Sequence, residues 1–119
     1  MHIMVVEDNE LLRNILTDML SSSFDEISVS EASEGGTVLK KIEQTPPDVI
    51  VMDIQLPGMN GIELTRRIKK EYPDIEIIIY TDYDQPEYRK AGSEAGAEYF
   101  LSKADPASDL VMLIETMLV

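Results

Sequence analysis

The chain of 119 residues contains no cysteine and no tryptophan, and it has few basic residues. The lack of cysteine excludes disulfide scaffolds, cysteine zinc sites and thiol catalysis, and it suits a reducing cytosol. Ten lysines and arginines against 23 aspartates and glutamates give a formal net charge of −13. Because a surface of that sign repels phosphate backbones and anionic lipid, we expect no direct binding of this segment to nucleic acid or membranes.

Long hydrophobic runs are also missing. No apolar stretch approaches the roughly 20 residues that a membrane-spanning helix requires. The first residues, Met1 to Asp8, lack the basic flank and apolar stretch of a secretion signal. We therefore expect a cytoplasmic protein. Hydrophobic residues make up 44% of the chain and charged residues 28%, which is enough for a core, and the length predicts a single domain over residues 1–119.

Short β-branched runs alternate with longer segments of helical spacing. Strands are predicted at Ile3–Val6, Ile27–Ser30, Val49–Met52, Ile75–Tyr80 and Ala97–Leu101. The third and fourth runs are almost continuously apolar, as is typical of strands covered on both faces. Five strand–helix units in succession predict a parallel sheet, and right-handed crossovers place helices on both of its faces. We therefore predict an α/β fold, a three-layer sandwich.

Several residues favour helix starts at particular positions. Asn60 with Glu63, and Asp84 with Glu87, have the spacing of a capping box. Asp105 is followed by proline, which predicts an N-cap and a first helical residue. The second helix is expected to end at the sequence Thr-Pro-Pro that precedes the third strand. The first helix carries one apolar stripe: Leu11, Leu12, Ile15, Leu16, Met19 and Leu20.

The last two helical segments differ in apolar content. The fourth, Asp84–Ala95, contains Gly92 and few apolar residues, which predicts a weak helix. In the fifth, one apolar face is expected to cover the sheet: Leu110, Leu113, Ile114 and Met117. Further apolar residues, Val111, Met112 and Leu118, exceed what a solvated face needs. This predicts a buried contact, either a homodimer through the fourth helix, fifth strand and fifth helix or docking of another domain.

Reactive side chains follow four of the five predicted strands. Glu7 and Asp8 follow the first strand, Asp53 the third, Thr81 the fourth and Lys103 the fifth. The carboxyl ends of parallel strands lie along one edge of the sheet, where ligands bind in such folds. Each residue alone has a simpler explanation, as a turn or cap residue, a strand former or a solvated lysine. Their conjunction favours a functional site.

The chemistry of this set points to phosphoryl transfer. Three carboxylates in one place repel each other, and a hard divalent cation such as Mg²⁺ removes the conflict. Asp53, at the end of the central strand, is then the expected nucleophile, accepting a phosphoryl group as an acyl phosphate. The Thr81 hydroxyl would donate a hydrogen bond to a phosphoryl oxygen, and Lys103 would be the fixed positive charge.

Taken together, these residues resemble the receiver domain of two-component response regulators, and the resemblance covers essentially the whole chain. The specific signature is Asp53 with Pro57 four residues later and Gly61 eight residues later, in the run from Ile54 to Gly61. The acidic pair Glu7-Asp8, Thr81 and Lys103 complete the motif. For the fold, the resemblance implies a flavodoxin-like sheet with strand order 2-1-3-4-5 and five helices.

For the function, the resemblance implies a phosphorylation-controlled switch that is not an enzyme beyond self-catalysed phosphoryl transfer and dephosphorylation. The donor to Asp53 would be a sensor histidine kinase, a phosphotransfer protein or a small molecule such as acetyl phosphate. Mg²⁺ would be ligated by Asp8 and Asp53, by Glu7 largely through water, and by the backbone carbonyl of Gln55. Thr81 and Lys103 would hold the phosphoryl oxygens. Thr81 would move toward the phosphoryl group, and Phe100 would turn inward. An output domain beyond Val119 is a further expectation.

The chain departs from the family pattern at four positions. Phe100, three residues before Lys103, replaces the more usual tyrosine, and it is equally well interpreted as a core-filling ring. Ala104 replaces a proline that often follows a cis peptide bond. Because a cis bond before alanine costs about 2.5–4 kcal/mol, we expect a trans bond. Asn60 replaces an aspartate, with little expected effect. Asp82 replaces a small residue, and its charge is expected to hinder a phosphodonor.

Three other functions fit parts of the pattern. A phosphatase of the haloacid dehalogenase type needs a second aspartate two residues after the nucleophile, where this chain has Gln55. A flavodoxin-like carrier needs a phosphate-binding loop after the first strand, where Glu7 and Asp8 would repel the flavin phosphate. A receiver-like module that only docks, without phosphorylation, remains open, although the complete set of site residues argues against it.

Overall fold

The computed structural model describes residues 1–118. In that part of the chain, five strands and five helices alternate without exception. The strands are β1 (His2–Val6), β2 (Ser28–Ala32), β3 (Val49–Met52), β4 (Glu76–Thr81) and β5 (Tyr99–Ser102). The helices are α1 (Glu10–Ser23), α2 (Gly35–Gln44), α3 (Gly61–Glu71), α4 (Pro86–Ala95) and α5 (Ser108–Met117).

The strands form one parallel sheet in the order β2-β1-β3-β4-β5, which confirms the predicted fold. Alternate residues of each strand point to opposite faces, so the two faces have separate cores. Met4 and Ile50 point into the core that α2, α3 and α4 cover. Val5 and Val51 point into the core beneath α1 and α5. The result is the expected three-layer sandwich.

All five predicted strands exist, but three are displaced along the chain. The second was placed at Ile27–Ser30 and lies at Ser28–Ala32, because its pairing with β1 continues to the end of that strand. The fourth was placed at Ile75–Tyr80 and lies one residue later, at Glu76–Thr81. The fifth was placed at Ala97–Leu101 and lies at Tyr99–Ser102. The Ala97 amide instead donates to the carbonyl of Gly92 at 3.1 Å, which assigns Ala97 to the end of α4.

The predicted N-cap at Asn60 is confirmed, whereas the predicted N-cap at Asp84 is wrong. The side chain of Asn60 accepts a hydrogen bond from the Glu63 amide at 2.9 Å, and α3 begins there. The fourth helix begins later than predicted, with Gln85 as its N-cap and proline as its first residue. The Asp84 carboxylate is not a cap, because it accepts a hydrogen bond from the Ser102 hydroxyl at 2.7 Å.

The predicted start of the fifth helix is also displaced. We expected Asp105 as the N-cap and Pro106 as the first helical residue, but α5 begins at Ser108, with Ala107 at the N-cap and no side-chain cap. The Pro106 carbonyl accepts a hydrogen bond from the Asp109 amide at 2.9 Å. A single turn therefore precedes the helix and takes the place of the expected aspartate cap.

The apolar stripe predicted on α1 is only partly a core face. Leu16 and Leu20 are buried, and Leu12 and Met19 pack against them from the rim. Leu11 and Ile15, however, are 71% and 52% exposed, so the apolar stripe extends beyond the buried face of the helix. Six residues at positions i, i+1, i+4, i+5, i+8 and i+9 cover a wider arc than one helix presents to a sheet.

The helix α5 packs as predicted. Leu110 and Ile114 are fully buried, while Leu113 and Met117 lie partly buried against the same core. Met112 remains 63% exposed and Leu118 39% exposed. Among the residues that the structure describes, no helix combines the length and the apolar character needed to cross a membrane.

Candidate functional site

The acidic residues predicted to meet at the carboxyl edge of the sheet lie together. One carboxylate oxygen from each of Glu7, Asp8 and Asp53 lies within 4.8 Å of the other two. Glu7 and Asp53 are buried, with exposures of 2% and 7%, whereas Asp8 is exposed. The cluster is therefore open to solvent on the side of Asp8 and closed on the side of the core.

The sheet itself places these side chains. Val6 pairs with Met52 at the ends of β1 and β3, and the next residues continue the ladder. The Asp53 amide donates to the Val6 carbonyl at 3.1 Å, and the Glu7 amide donates to the Ala32 carbonyl at 3.0 Å. Because the backbone on both sides is hydrogen bonded, two acidic residues 46 positions apart in sequence stay side by side.

Lys103 reaches this cluster from the end of β5. Its Nζ lies 2.5 Å from Glu7 Oε1 and 2.9 Å from Asp53 Oδ2. The Lys103 amide donates to the Thr81 carbonyl at 2.9 Å, which anchors the loop after β5 to the end of β4. Three carboxylates thus face one ammonium group, and the cluster keeps an excess of negative charge.

Burial and pairing shift two pKa values in the cluster. Burial raises the pKa of Glu7 above its usual 4.5, and the neighbouring charge of Asp53 adds to this, although hydrogen bonds from Lys103 and the Asn9 amide act in the opposite direction. Burial alone would lower the pKa of Lys103, but its hydrogen bonds to Glu7 and Asp53 outweigh burial and raise it above 10.5. Lys103 is therefore a permanent positive charge at neutral pH.

Backbone amides orient the two buried carboxylates. The Ile54 amide donates to Asp53 Oδ1 at 2.7 Å, while Lys103 occupies the other oxygen. The Asn9 amide donates to Glu7 Oε2 at 3.1 Å, again leaving the second oxygen to Lys103. Both side chains are therefore held in one orientation by groups on two sides.

Thr81 ends β4 beside this cluster and is fully buried. Its hydroxyl oxygen accepts a hydrogen bond from the Tyr83 amide at 3.2 Å. The Tyr83 hydroxyl donates in turn to the side-chain oxygen of Gln55 at 2.6 Å, joining the loop after β4 to the loop after β3. Gln55 is exposed.

Two contacts near the site were not anticipated from the sequence. The link between Tyr83 and Gln55 crosses from one loop to the other, and the Arg89 guanidinium lies over the ring of Phe100. Phe100 is partly buried against the core under α4, so it fills space there. No local sequence signal marks these pairs, because in each pair the two residues belong to different elements or loops and meet only when these pack together.

The peptide bond between Lys103 and Ala104 is trans, as expected, since no cis peptide bond occurs within residues 1–118. Asp82 is exposed and lies directly after Thr81, at the edge of the site. Its charge therefore adds to the negative field that an approaching anion meets.

A comparison with protein families identifies this arrangement. The family described as "Response regulator receiver domain" matches residues 3–115. The chain belongs to this family. The receiver domain is a part of two-component signalling proteins, and the acidic cluster of Glu7, Asp8 and Asp53 is consistent with a phosphoacceptor site.

Individual relatives agree with the family. The receiver domain is 31% identical over 112 residues to the response regulator GacA of Pseudomonas viridiflava, which corresponds to 94% of this chain and 52% of that protein. It is 32% identical over 111 residues to the uncharacterized transcriptional regulatory protein YhcZ of Bacillus subtilis, covering 93% of this chain and 52% of that protein. The chain thus spans about half the length of these curated relatives.

Solved structures show the same fold. A two-component response regulator of the LuxR family from Aurantimonas superposes with a TM-score of 0.91 at 31% identity, covering 98% of this chain and 84% of that one. A CheY-like receiver domain protein from Methanospirillum hungatei superposes with a TM-score of 0.89 at 29% identity, covering 98% of this chain and 92% of that one.

The donor atoms of the cluster fit a hard divalent cation. Carboxylate oxygens are the ligands that Mg²⁺ prefers, and the exposed side at Asp8 leaves room for the waters that Mg²⁺ keeps. The cluster of Glu7, Asp8 and Asp53 is therefore a group that could hold a metal ion.

Proposed function

We propose that this receiver domain is a phosphorylation-controlled switch in which Asp53 accepts a phosphoryl group. The observation that carries the proposal is the contact between Lys103 Nζ and Asp53 Oδ2 at 2.9 Å, beside two further carboxylates. A buried aspartate with an ammonium on one oxygen and a candidate cation site beside it has the partners that a transferring phosphoryl group needs.

In the proposed reaction, one carboxylate oxygen of Asp53 attacks the phosphorus of the donor. A bond forms between that oxygen and phosphorus, the bond from phosphorus to the leaving group breaks, and the leaving group departs with the electron pair. Lys103 keeps its charge at neutral pH and stabilises the phosphoryl oxygens, and the Thr81 hydroxyl donates a hydrogen bond to one of them.

Mg²⁺ is the proposed cofactor. Asp8 and Asp53 would bind it directly, Glu7 largely through water, and Gln55 through its backbone carbonyl. When bound, the ion would neutralise the carboxylates and withdraw charge from the transferring group. Lys103 would then exchange its contact with the Asp53 carboxylate for one with a phosphoryl oxygen, while its partner Glu7 holds the side chain in place.

The proposed output is a change at the surface around Phe100. In the unphosphorylated form the Thr81 hydroxyl accepts from the Tyr83 amide, and turning toward a phosphoryl oxygen would break that bond and release the loop. A shift from 1:99 to 99:1 between two forms needs about 5.5 kcal/mol of preference for one of them. We propose that the contacts of one phosphoryl group with Thr81, Lys103 and a cation supply this preference.

The proposed partners are a sensor histidine kinase or a phosphotransfer protein as donor, and an output partner or a second copy at the α4, β5 and α5 surface. Acetyl phosphate is the proposed small-molecule donor. The phosphatase alternative is not favoured, because the residue two positions after Asp53 is Gln55, whose side chain is hydrogen bonded to Tyr83.

The test is incubation of the purified chain with acetyl phosphate and Mg²⁺, followed by intact mass spectrometry. We expect one phosphoryl adduct on the wild-type chain that is lost after treatment with hydroxylamine. The adduct should be absent from Asp53→Asn and present in Asp74→Asn, an exposed aspartate before β4 that serves as the control. An adduct that persists in Asp53→Asn would contradict the proposal, and no adduct with any donor would favour a module that only docks.

A further inference from the structure

Phe100 lies against α4 at Gly92, where an added β-carbon would crowd the neighbouring side chains. A β-carbon on Gly92 would lie 2.8 Å from Ile79 Cδ1 and 3.3 Å from Phe100 Cδ2. Real β-carbons essentially never approach a neighbour to 2.8 Å, so the glycine supplies the space that these two side chains occupy. The glycine that predicted a weak helix is thus explained by packing against the Phe100 ring.

The outer side of the same ring contacts a cation. The central carbon of the Arg89 guanidinium lies 4.8 Å from the centroid of Phe100. At that distance the positive charge is attracted to the electrons of the ring face. Phe100 therefore lies between Gly92 and Arg89, two residues that are three positions apart and on the same side of α4.

Arg89 also contacts the loop that follows Thr81. Its Nε donates a hydrogen bond to the Asp84 backbone carbonyl at 3.2 Å. The Asp84 carboxylate accepts from the Ser102 hydroxyl at 2.7 Å, and the same Ser102 oxygen accepts from the Ala104 amide at 3.0 Å. Asp84 is three residues after Thr81, and Ser102 directly precedes Lys103. The chain of contacts thus joins the ring to both ends of the phosphorylation site.

We propose that Arg89, Gly92 and Asp84 are positioning residues that couple the Phe100 ring to the loop after Thr81. This inference rests on the proposed function of Asp53. A phenylalanine has no hydroxyl through which hydrogen bonding can distinguish two ring positions, and the guanidinium of Arg89 supplies the polar contact instead. Arg89 is attached to the loop through the carbonyl of Asp84, so a movement of the loop also moves the cation away from the ring.

The coupling operates in both directions, as thermodynamic linkage requires. When Thr81 releases the Tyr83 amide, residues 82–85 are free to shift, and the carbonyl that holds Arg89 shifts with them. Loss of the guanidinium contact binds the ring less strongly in its present position. The free energy needed to reach a second ring position therefore falls. Conversely, in a variant whose Phe100 ring is already displaced before phosphorylation, the movement of the loop requires less free energy.

The composition of the chain allows a direct test. It contains two phenylalanines, Phe24 and Phe100, so incorporation of 4-fluorophenylalanine gives two ¹⁹F resonances. Phe24 is the C-cap of α1 and packs against the core on the opposite face of the sheet, which makes it an internal control. The position of the Phe100 resonance is recorded before and after acetyl phosphate and Mg²⁺, and the phosphorylated fraction is measured by intact mass on the same samples.

Three variants test the coupling. In Gly92→Ala we expect the Phe100 resonance to shift without phosphorylation, because the new methyl group displaces the ring. In Arg89→Met, which keeps an apolar stem and removes the charge, we expect the ring equilibrium to change about two- to fivefold. The response of the ring to phosphorylation should also decrease, although the adduct still forms. Arg89→Lys should restore part of the response, and Lys90→Met, an exposed neighbour on α4, should behave as wild type.

Each outcome decides a separate point. If Gly92→Ala or Arg89→Met leaves the Phe100 resonance and its response unchanged, the inference is overturned while the function of Asp53 stands. If the wild-type chain forms no adduct, the proposed function fails and the coupling fails with it. If Gly92→Ala unfolds, the Phe24 resonance will reveal it. Arg89→Met then decides the question, because the Arg89 side chain is exposed and does not belong to the core.

Discussion

A β-carbon on Gly61 would lie 1.9 Å from the backbone carbonyl oxygen of Asp53. The two residues are held together because the Gly61 amide donates to the Ile54 carbonyl at 2.7 Å, where α3 begins. The close approach of the two backbones therefore explains why a glycine stands eight residues after the proposed phosphoacceptor. This glycine lets the first turn of α3 lie directly against the backbone that carries the Asp53 carboxylate.

Gly61→Ala is accordingly expected to destabilise the domain and to distort the site. Overpacking of a rigid backbone contact costs about 1–3 kcal/mol or more, and the displaced carbonyl would move Asp53 with it. Urea unfolding measures the first effect and phosphorylation by acetyl phosphate the second. Gly36→Ala is the matched control, since nothing lies within 4 Å of a β-carbon at that position of α2. It should stabilise the chain by about 0.5–1 kcal/mol, and equal effects of the two changes would contradict the steric explanation.

Lys103→Met is expected to be among the most destabilising single changes near the site. It leaves Glu7 and Asp53 without their shared ammonium, and their side chains are only 3% and 9% exposed. Removing one partner of a buried ion pair costs about 3–5 kcal/mol. The free energy of unfolding in urea measures the loss, and the added change Glu7→Gln should recover part of it. Lys90→Met, on the surface, should stay within about 0.5 kcal/mol of wild type.

Mg²⁺ is expected to raise the thermal stability of the chain through the acidic cluster. A ligand that binds only the folded form stabilises it by about 2.7 kcal/mol at 100 times its Kd. The increase in Tm with Mg²⁺ should be much smaller in Asp8→Asn, which removes a charge from the cluster at its exposed side. Asp74→Asn should respond as wild type does. An equal response in all three proteins would show that the ion acts elsewhere on this acidic chain.

Two leucines test which residues of the helices belong to the core. Leu64 on α3 is fully buried, and Leu64→Ala is expected to cost about 2–5 kcal/mol. Leu11 on α1 is 71% exposed, so Leu11→Ala should change the free energy of unfolding by no more than about 0.5 kcal/mol. A large loss for Leu11→Ala, measured in the same urea titrations, would contradict the exposure of this side chain in the fold.

Local patterns in the sequence were sufficient for the order of strands and helices and for the candidate site. The strand runs at Val49–Met52 and Ile75–Tyr80 are almost continuously apolar, which is the local consequence of burial on both faces. The candidate site was predictable because parallel strands end at one edge of a sheet. A residue that directly follows a strand, such as Asp53, is therefore placed by topology alone.

Other features were decided only by the tertiary structure. Asp84 has the spacing of a helix cap, but in the fold it meets the hydroxyl of Ser102, a partner 18 residues away. Leu11 and Ile15 have helical spacing, but the sheet contacts a narrower arc of α1 than the stripe covers. Helical periodicity gives the direction in which a side chain points around the helix axis. Its burial and its hydrogen-bond partners depend on which other elements lie in that direction. That information is absent from any single segment and arises only when the segments pack.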